Sequence, residues 1–222
     1  MMSANVIQLR QMLSEKFPGL RWQVDEQPPV RNFYPTGWAP VDEALGGGLP
    51  RGALAEIAGV GPGSATLVRE LLCQAAAQNQ IAALIDGNDS LDVTAMAETT
   101  LARLLWVRCH AAEEALRAAD LILRDNNLPL VLLDLKLNAE RELRKISPTI
   151  WYRFQRLVEE TTAICLVITP RPMIAPAQTR LVVHSDFSLD TLESDTGELL
   201  RRLKLEISDG RQSVGTPQPA SA

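Results

Sequence analysis

Five apolar runs, Ala53–Ile57, Ile81–Asp86, Leu104–Val107, Leu130–Leu135 and Ala163–Thr169, are each too short for a buried helix and lack the alternation of a half-exposed strand. Between most of them lie stretches with helical spacing, Ala65–Gln78, Glu113–Arg124 and Pro148–Glu160. Strands that are apolar on both faces must be covered on both faces, and helices that connect them place that cover where it is needed. The pattern predicts an α/β domain built on a mostly parallel sheet flanked by helices.

The pattern changes after Thr169. Leu181–Leu189 and Leu199–Ile207 are extended runs on either side of Asp195-Thr196-Gly197, and in the second run Leu203, Leu205 and Ile207 alternate with Arg202, Lys204 and Glu206. This predicts a C-terminal antiparallel hairpin closing the sheet. Ahead of the core, Val6, Leu9, Leu13 and Phe17 share one face of a short helix, and Pro28, Pro29 and Pro35 break the chain after it. The organisation expected is a helical arm and tether over residues 1–35, a core domain over 36–207 and a disordered tail over 208–222.

Composition narrows the function classes. A net charge of -5 argues against a globally basic nucleic-acid binder. No leader or membrane-spanning run is visible, so a cytoplasmic protein with no membrane partner is expected. Cys73, Cys109 and Cys165 are odd in number and lie in apolar stretches, which reads as buried thiols and not as a disulfide or metal set. No metal site is expected.

The segment Thr36-Gly37-Trp38-Ala39-Pro40-Val41-Asp42-Glu43-Ala44-Leu45-Gly46-Gly47-Gly48-Leu49-Pro50-Arg51-Gly52-Ala53-Leu54-Ala55-Glu56-Ile57 resembles the lead-in of RecA-family proteins, where a threonine-glycine turn, a short helix and a triple-glycine bend feed the first core strand. Ala82–Asp92 resembles the second strand of that family with its acidic turn, and Leu130-Val131-Leu132-Leu133-Asp134 resembles its Walker B strand. The resemblance implies a RecA-like core with an ATP site, which the residues themselves contradict. A phosphate loop needs G-x-x-x-x-G-K-[ST], glycines for the amide cradle, a lysine for charge and a hydroxyl for magnesium. The corresponding stretch is Gly59-Val60-Gly61-Pro62-Gly63-Ser64-Ala65-Thr66. Gly59 and Thr66 fit; Ser64 and Ala65 replace the second glycine and the lysine, and Pro62 lacks an amide donor.

A second loss is independent of the first. The family's water-orienting glutamate after the second strand corresponds to Asn88, whose amide is no general base. Asp89 beside it would point elsewhere on an extended segment. Asp134 is expected to serve the fold, and Thr66 to start a helix. The reading is a protein with degenerate ATPase motifs, no catalytic residues and no cofactor. His110 and His184 have no nucleophile partner and read as structural.

Between Lys136 and Arg156 the basic residues Lys136, Arg141, Arg144, Lys145, Arg153 and Arg156 face only Glu140 and Glu142, with Trp151 among them. Such composition suits phosphate contact with base stacking, or a partner surface; the alternative is a solvated helix burying its aromatic face, with Ser147 and Pro148 at its start. A short RecA-like chain with an N-terminal arm and a broken phosphate loop is similar to the ImuA family of RecA-like accessories in SOS-induced translesion synthesis. That resemblance implies an adaptor in DNA-damage tolerance whose partners are an ImuB-like polymerase homologue, an error-prone C-family polymerase and RecA, with weak DNA contact; the apolar arm of Val6, Leu9, Leu13 and Phe17 is expected to dock onto another chain, a second copy in a homo-oligomer or the polymerase-like partner. Two other classes stay open: a SulA-like cell-division inhibitor binding FtsZ, and an unusual nucleotide-dependent RecA-like ATPase.

Overall fold

Ala53–Ala58 (β3) has all six side chains buried, as a strand covered on both faces requires. The computed structural model describes residues 33–59, 61–94, 96–184, 187 and 196–209. The arm stripe of Val6, Leu9, Leu13 and Phe17 and the tail beyond Asp209 lie outside these residues. Around β3 the chain sets Ala82–Asp86 (β4), Leu104–Arg108 (β5), Leu130–Asp134 (β6), Ile164–Thr169 (β7), Thr179–His184 (β8) and Lys204–Asp209 (β9). The order in space is β5-β4-β6-β7-β3-β8-β9, parallel throughout except for the antiparallel pair β8 and β9.

Side-chain alternation along the central strands splits the core into two layers. Ala55 and Ile57, Leu130 and Leu132, and Ile164, Leu166 and Ile168 point to one face, where Pro62–Ala77 (α2) covers them with Leu67, Val68, Leu71, Leu72 and Ala75. Leu54, Val131, Leu133, Cys165 and Val167 point to the other. There Ala112–Asp125 (α4) buries Ala112, Ala115, Leu116, Ala119 and Leu123, a stripe at i, i+3, i+4 spacing, and stops at Asn126 in the left-handed conformation. Pro148–Glu159 (α6) joins α4 on that face, starting after Ser147 with Pro148 in its first turn.

The lead-in is more structured than the sequence indicates. Phe33–Tyr34 (β1) pairs antiparallel with Leu49–Pro50 (β2) on either side of Ala39–Ala44 (α1). Thr36 donates from its amide and its hydroxyl to Asp42 Oδ1 at 2.8 and 2.7 Å, which holds the turn on the start of α1. Leu45 packs partly against the core, while Val41 is the fully buried anchor of that helix. Gly48 passes so close to the Tyr34 carbonyl that a Cβ would sit 2.1 Å from its oxygen, so only glycine fits.

The C-terminal hairpin is antiparallel as expected, but its second strand begins at Lys204. Thr196–Arg202 is a helix (α7), so Leu199 and Leu200 are helical and Thr196-Gly197 is no hairpin turn. Leu200 and Leu203 fit i, i+3 spacing as well as an extended run, and burial of both on the α2 face decides for the helix. Short helices Glu98–Leu101 (α3) and Glu140–Leu143 (α5) carry no sequence pattern of their own. The three cysteines are unpaired, with Cys109 and Cys165 buried and Cys73 half-buried.

Candidate functional site

The ends of β3, β6 and β4, with β7 between the first two, lie along the edge of the sheet where a nucleotide-binding α/β protein would hold its phosphates. The stretch after β3 does not form an open loop. α2 starts at Pro62, three residues before the Ala65 start that periodicity indicates, with Gly61 (φ 101°) as the residue ahead of it. Pro62 has the fixed φ suited to a first helical turn. Gly63 and Ser64 are therefore buried inside the helix, and Ala65 is exposed on it. Thr66 is in the helix body and not at its start: its hydroxyl donates to the Pro62 carbonyl at 3.2 Å, a bond within the helix that occupies the group expected of a magnesium ligand. Ser64 donates to the Gly61 carbonyl at 3.3 Å. Gly59 is held upstream, its amide donating to the Thr169 carbonyl at 3.0 Å and its α-carbon so near β8 that a Cβ would lie 2.5 Å from the Val183 oxygen.

Asp86 and Asp134 are register partners at the ends of β4 and β6. Each is committed to its own turn. Asp86 accepts from the amides of Ser90 and Leu91 at 2.7 and 2.8 Å, and Asp134 from the amide of Lys136 at 2.9 Å. Burial raises the Asp134 pKa above the usual carboxylate range, and the charge of Asp86 adds to that; the Lys136 amide and side chain pull against it. Asn88 is exposed. Asp89 does point elsewhere, though the segment is a turn and not extended: with φ at 50° it forms a two-pronged pair with Arg108, at 2.5 and 2.6 Å. That hydrogen-bonded pairing holds the Asp89 carboxyl below its ordinary pKa, the opposite of what a general base at neutral pH needs.

One charged cluster escaped the sequence reading. Glu56, fully buried on β3, accepts from Thr169 Oγ1 at 2.9 Å, from the amides of Met173 and Ile174 at 2.8 and 3.3 Å, and from Arg180 Nε at 2.6 Å. Arg180 also donates to the Ile174 carbonyl at 2.8 Å. The network locks the loop between β7 and β8 onto the central strand. A lone glutamate in an otherwise apolar strand was the available signal, because a carboxylate there must find a partner.

The basic stretch divides in two. Trp151 and Phe154 are in the core, 2% and 0% exposed and edge to face at 6.0 Å, so Trp151 is no stacking platform; the amphipathic spacing of α6 wins over composition. Arg144 pairs with Glu140 at 3.0 Å and Arg153 with Asp120 at 2.9 Å. Lys136 is half-buried beside Asp134. Arg141, Lys145 and Arg156 are exposed, as is Tyr152, at 50%.

A mostly parallel sheet whose glycine-marked turn leads from a central strand into a helix, with an aspartate ending the strand two places along, defines the RecA-like class of α/β domains. The chain belongs to the RecA N-terminal domain family, whose model matches residues 23–142. It is 36% identical over 119 residues to Protein RecA of Clavibacter michiganensis subsp. michiganensis, covering 52% of this chain and 33% of the relative, and 36% identical over 104 residues to Protein RecA of Methylococcus capsulatus, covering 45% and 30%. The chain thus spans about a third of the length of these relatives. The RadB recombinase structure is similar with a TM-score of 0.53 and 15% sequence identity, over 67% of this chain and 81% of that one. No described helix is long and apolar enough to cross a membrane.

Proposed function

We propose that this chain is a RecA-family accessory protein that does not turn over ATP, an adaptor in SOS-induced translesion synthesis of the ImuA kind, whose partners are an ImuB-like polymerase homologue, an error-prone C-family polymerase and RecA. The observation that carries the non-hydrolysing part is the start of α2 at Pro62, which draws the phosphate-loop residues into a helix. Ala65 supplies no charge and Asn88 no base. A charge-assisted bond to phosphate is worth about 1.5–3 kcal/mol, so loss of the lysine alone weakens triphosphate binding by about one to two orders of magnitude. A family scaffold without the family's chemistry is left with its surfaces, which is what supports an adaptor. Arg141, Lys145, Arg156 and Tyr152 offer the exposed basic and aromatic groups for weak contact with single-stranded DNA.

The expected outcome is no phosphate release with ATP and magnesium, with or without single-stranded DNA. DNA-stimulated turnover that disappears in Asp134→Asn overturns the reading. Pull-down of the full chain with a polymerase-like partner tests the adaptor role, and failure to retain any of the three named partners overturns that part.

A further inference from the structure

β9 ends the sheet, and among the described residues nothing pairs with its outer side. It reads Lys204-Leu205-Glu206-Ile207-Ser208-Asp209, charged and apolar groups alternating over its first four residues. Leu205 and Ile207 are only partly covered, and with Leu203 they line an apolar cleft of about 630 Å³ against Trp38, Pro40 and Ala44 of the lead-in. The α2 layer of the core is therefore left thin at this edge. Natural edge strands are commonly protected by a lysine, which resists a second strand unless an acid is set opposite it. Here the strand carries that acid itself.

We propose that β9 is a self-recognition edge: two copies of the chain pair β9 against β9, antiparallel about a twofold axis through Leu205, joining their sheets into one. This register places Lys204 opposite Glu206 of the second copy and Glu206 opposite its Lys204, while Leu205 faces Leu205 on the cleft side and Leu203, just ahead of the strand, comes against Ile207. Both faces are satisfied at once, as a closed twofold contact demands. The neighbouring registers fail. Sliding by two residues one way sets Glu206 against Glu206, and by two the other way sets Lys204 against Lys204. A slide by one puts apolar groups against charged ones. The opposite edge, β5, has no such complement, since its only charge is Arg108, which is engaged by Asp89 and stacked 4.9 Å from the Trp106 ring centroid.

Sedimentation equilibrium of the full chain is expected to show a monomer–dimer exchange. Lys204→Glu and Glu206→Lys should each weaken it at least tenfold, and the double swap Lys204→Glu/Glu206→Lys should recover it. Because Glu206 also sits 3.6 Å from His184 and Lys204 has contacts of its own, thermal melts of each variant check the fold. A second measurement reads the register directly: a mixture of Lys204→Cys chains and Glu206→Cys chains, which keeps one of the two Lys204–Glu206 contacts, should cross-link on mild oxidation more completely than either alone. A monomer at all concentrations overturns the proposal. So does a dimer indifferent to the single changes, a double swap that fails to rescue in a folded protein, or cross-linking equal in the mixture and the separate chains.

Discussion

At the scale of single residues, two carboxylates, Glu56 fully buried and Asp134 half-buried, set opposite expectations. Glu56 is neutralised by Arg180 and fully hydrogen-bonded, so removing the arginine strands a charge in the core; Arg180→Met is expected to lower stability by about 3–5 kcal/mol, read from the urea midpoint. Asp134 is held by fewer bonds and its pKa is raised by burial. A carboxyl whose folded pKa lies above its unfolded one stabilises the fold only when protonated and costs stability as pH rises through the range. Asp134→Asn should therefore raise the melting temperature at pH 7, and the gain should fade as pH falls below the unfolded carboxylate range. Equal gains at pH 7 and pH 3 would contradict this account. Of these two groups only Asp134 was legible in the sequence, because it ends an apolar strand of recognisable type. The partner of Glu56 lies on a strand more than a hundred residues away, which no local pattern encodes.

Among elements, the central strands and the three long helices were legible because burial on both faces, or along one stripe, leaves a period in the sequence. Where two periods fit, the sequence was silent. Leu199–Arg202 satisfies a strand and a helix alike, and packing on the α2 layer decides. Thr66 looks like a helix start only while Pro62 is taken as loop. α6 shows how composition misleads: its aromatic residues sit among arginines in the chain but separate in space into core and surface. Trp151→Ala or Phe154→Ala should cost about 3–5 kcal/mol, whereas Tyr152→Ala should stay within about 0.5 kcal/mol in stability. Fluorescence anisotropy with single-stranded DNA should register the Tyr152 change as weaker binding, and an unaltered affinity would remove α6 from the interface.

For the molecule as a whole, a net charge of -5 and three exposed, unengaged basic residues near α6 limit how firmly any DNA is held. Three neutralised phosphates on a single strand correspond to a slope of about -2 in log affinity against log salt. A markedly steeper slope would mean that basic groups elsewhere take part. The same economy applies to history. Because residues 62–66 now obey helix rules, a lysine restored at position 65 would stand on the outside of a turn of α2, with no loop to aim it, while Pro62 keeps that turn closed. On the function proposed above, recovering a phosphate loop takes several changes at once, so drift has a valve that opens one way. Relatives descended from this form should vary at position 65 as an exposed helix surface does, keep small residues at 63 and 64 where the helix meets the core, and never regain the lysine by itself.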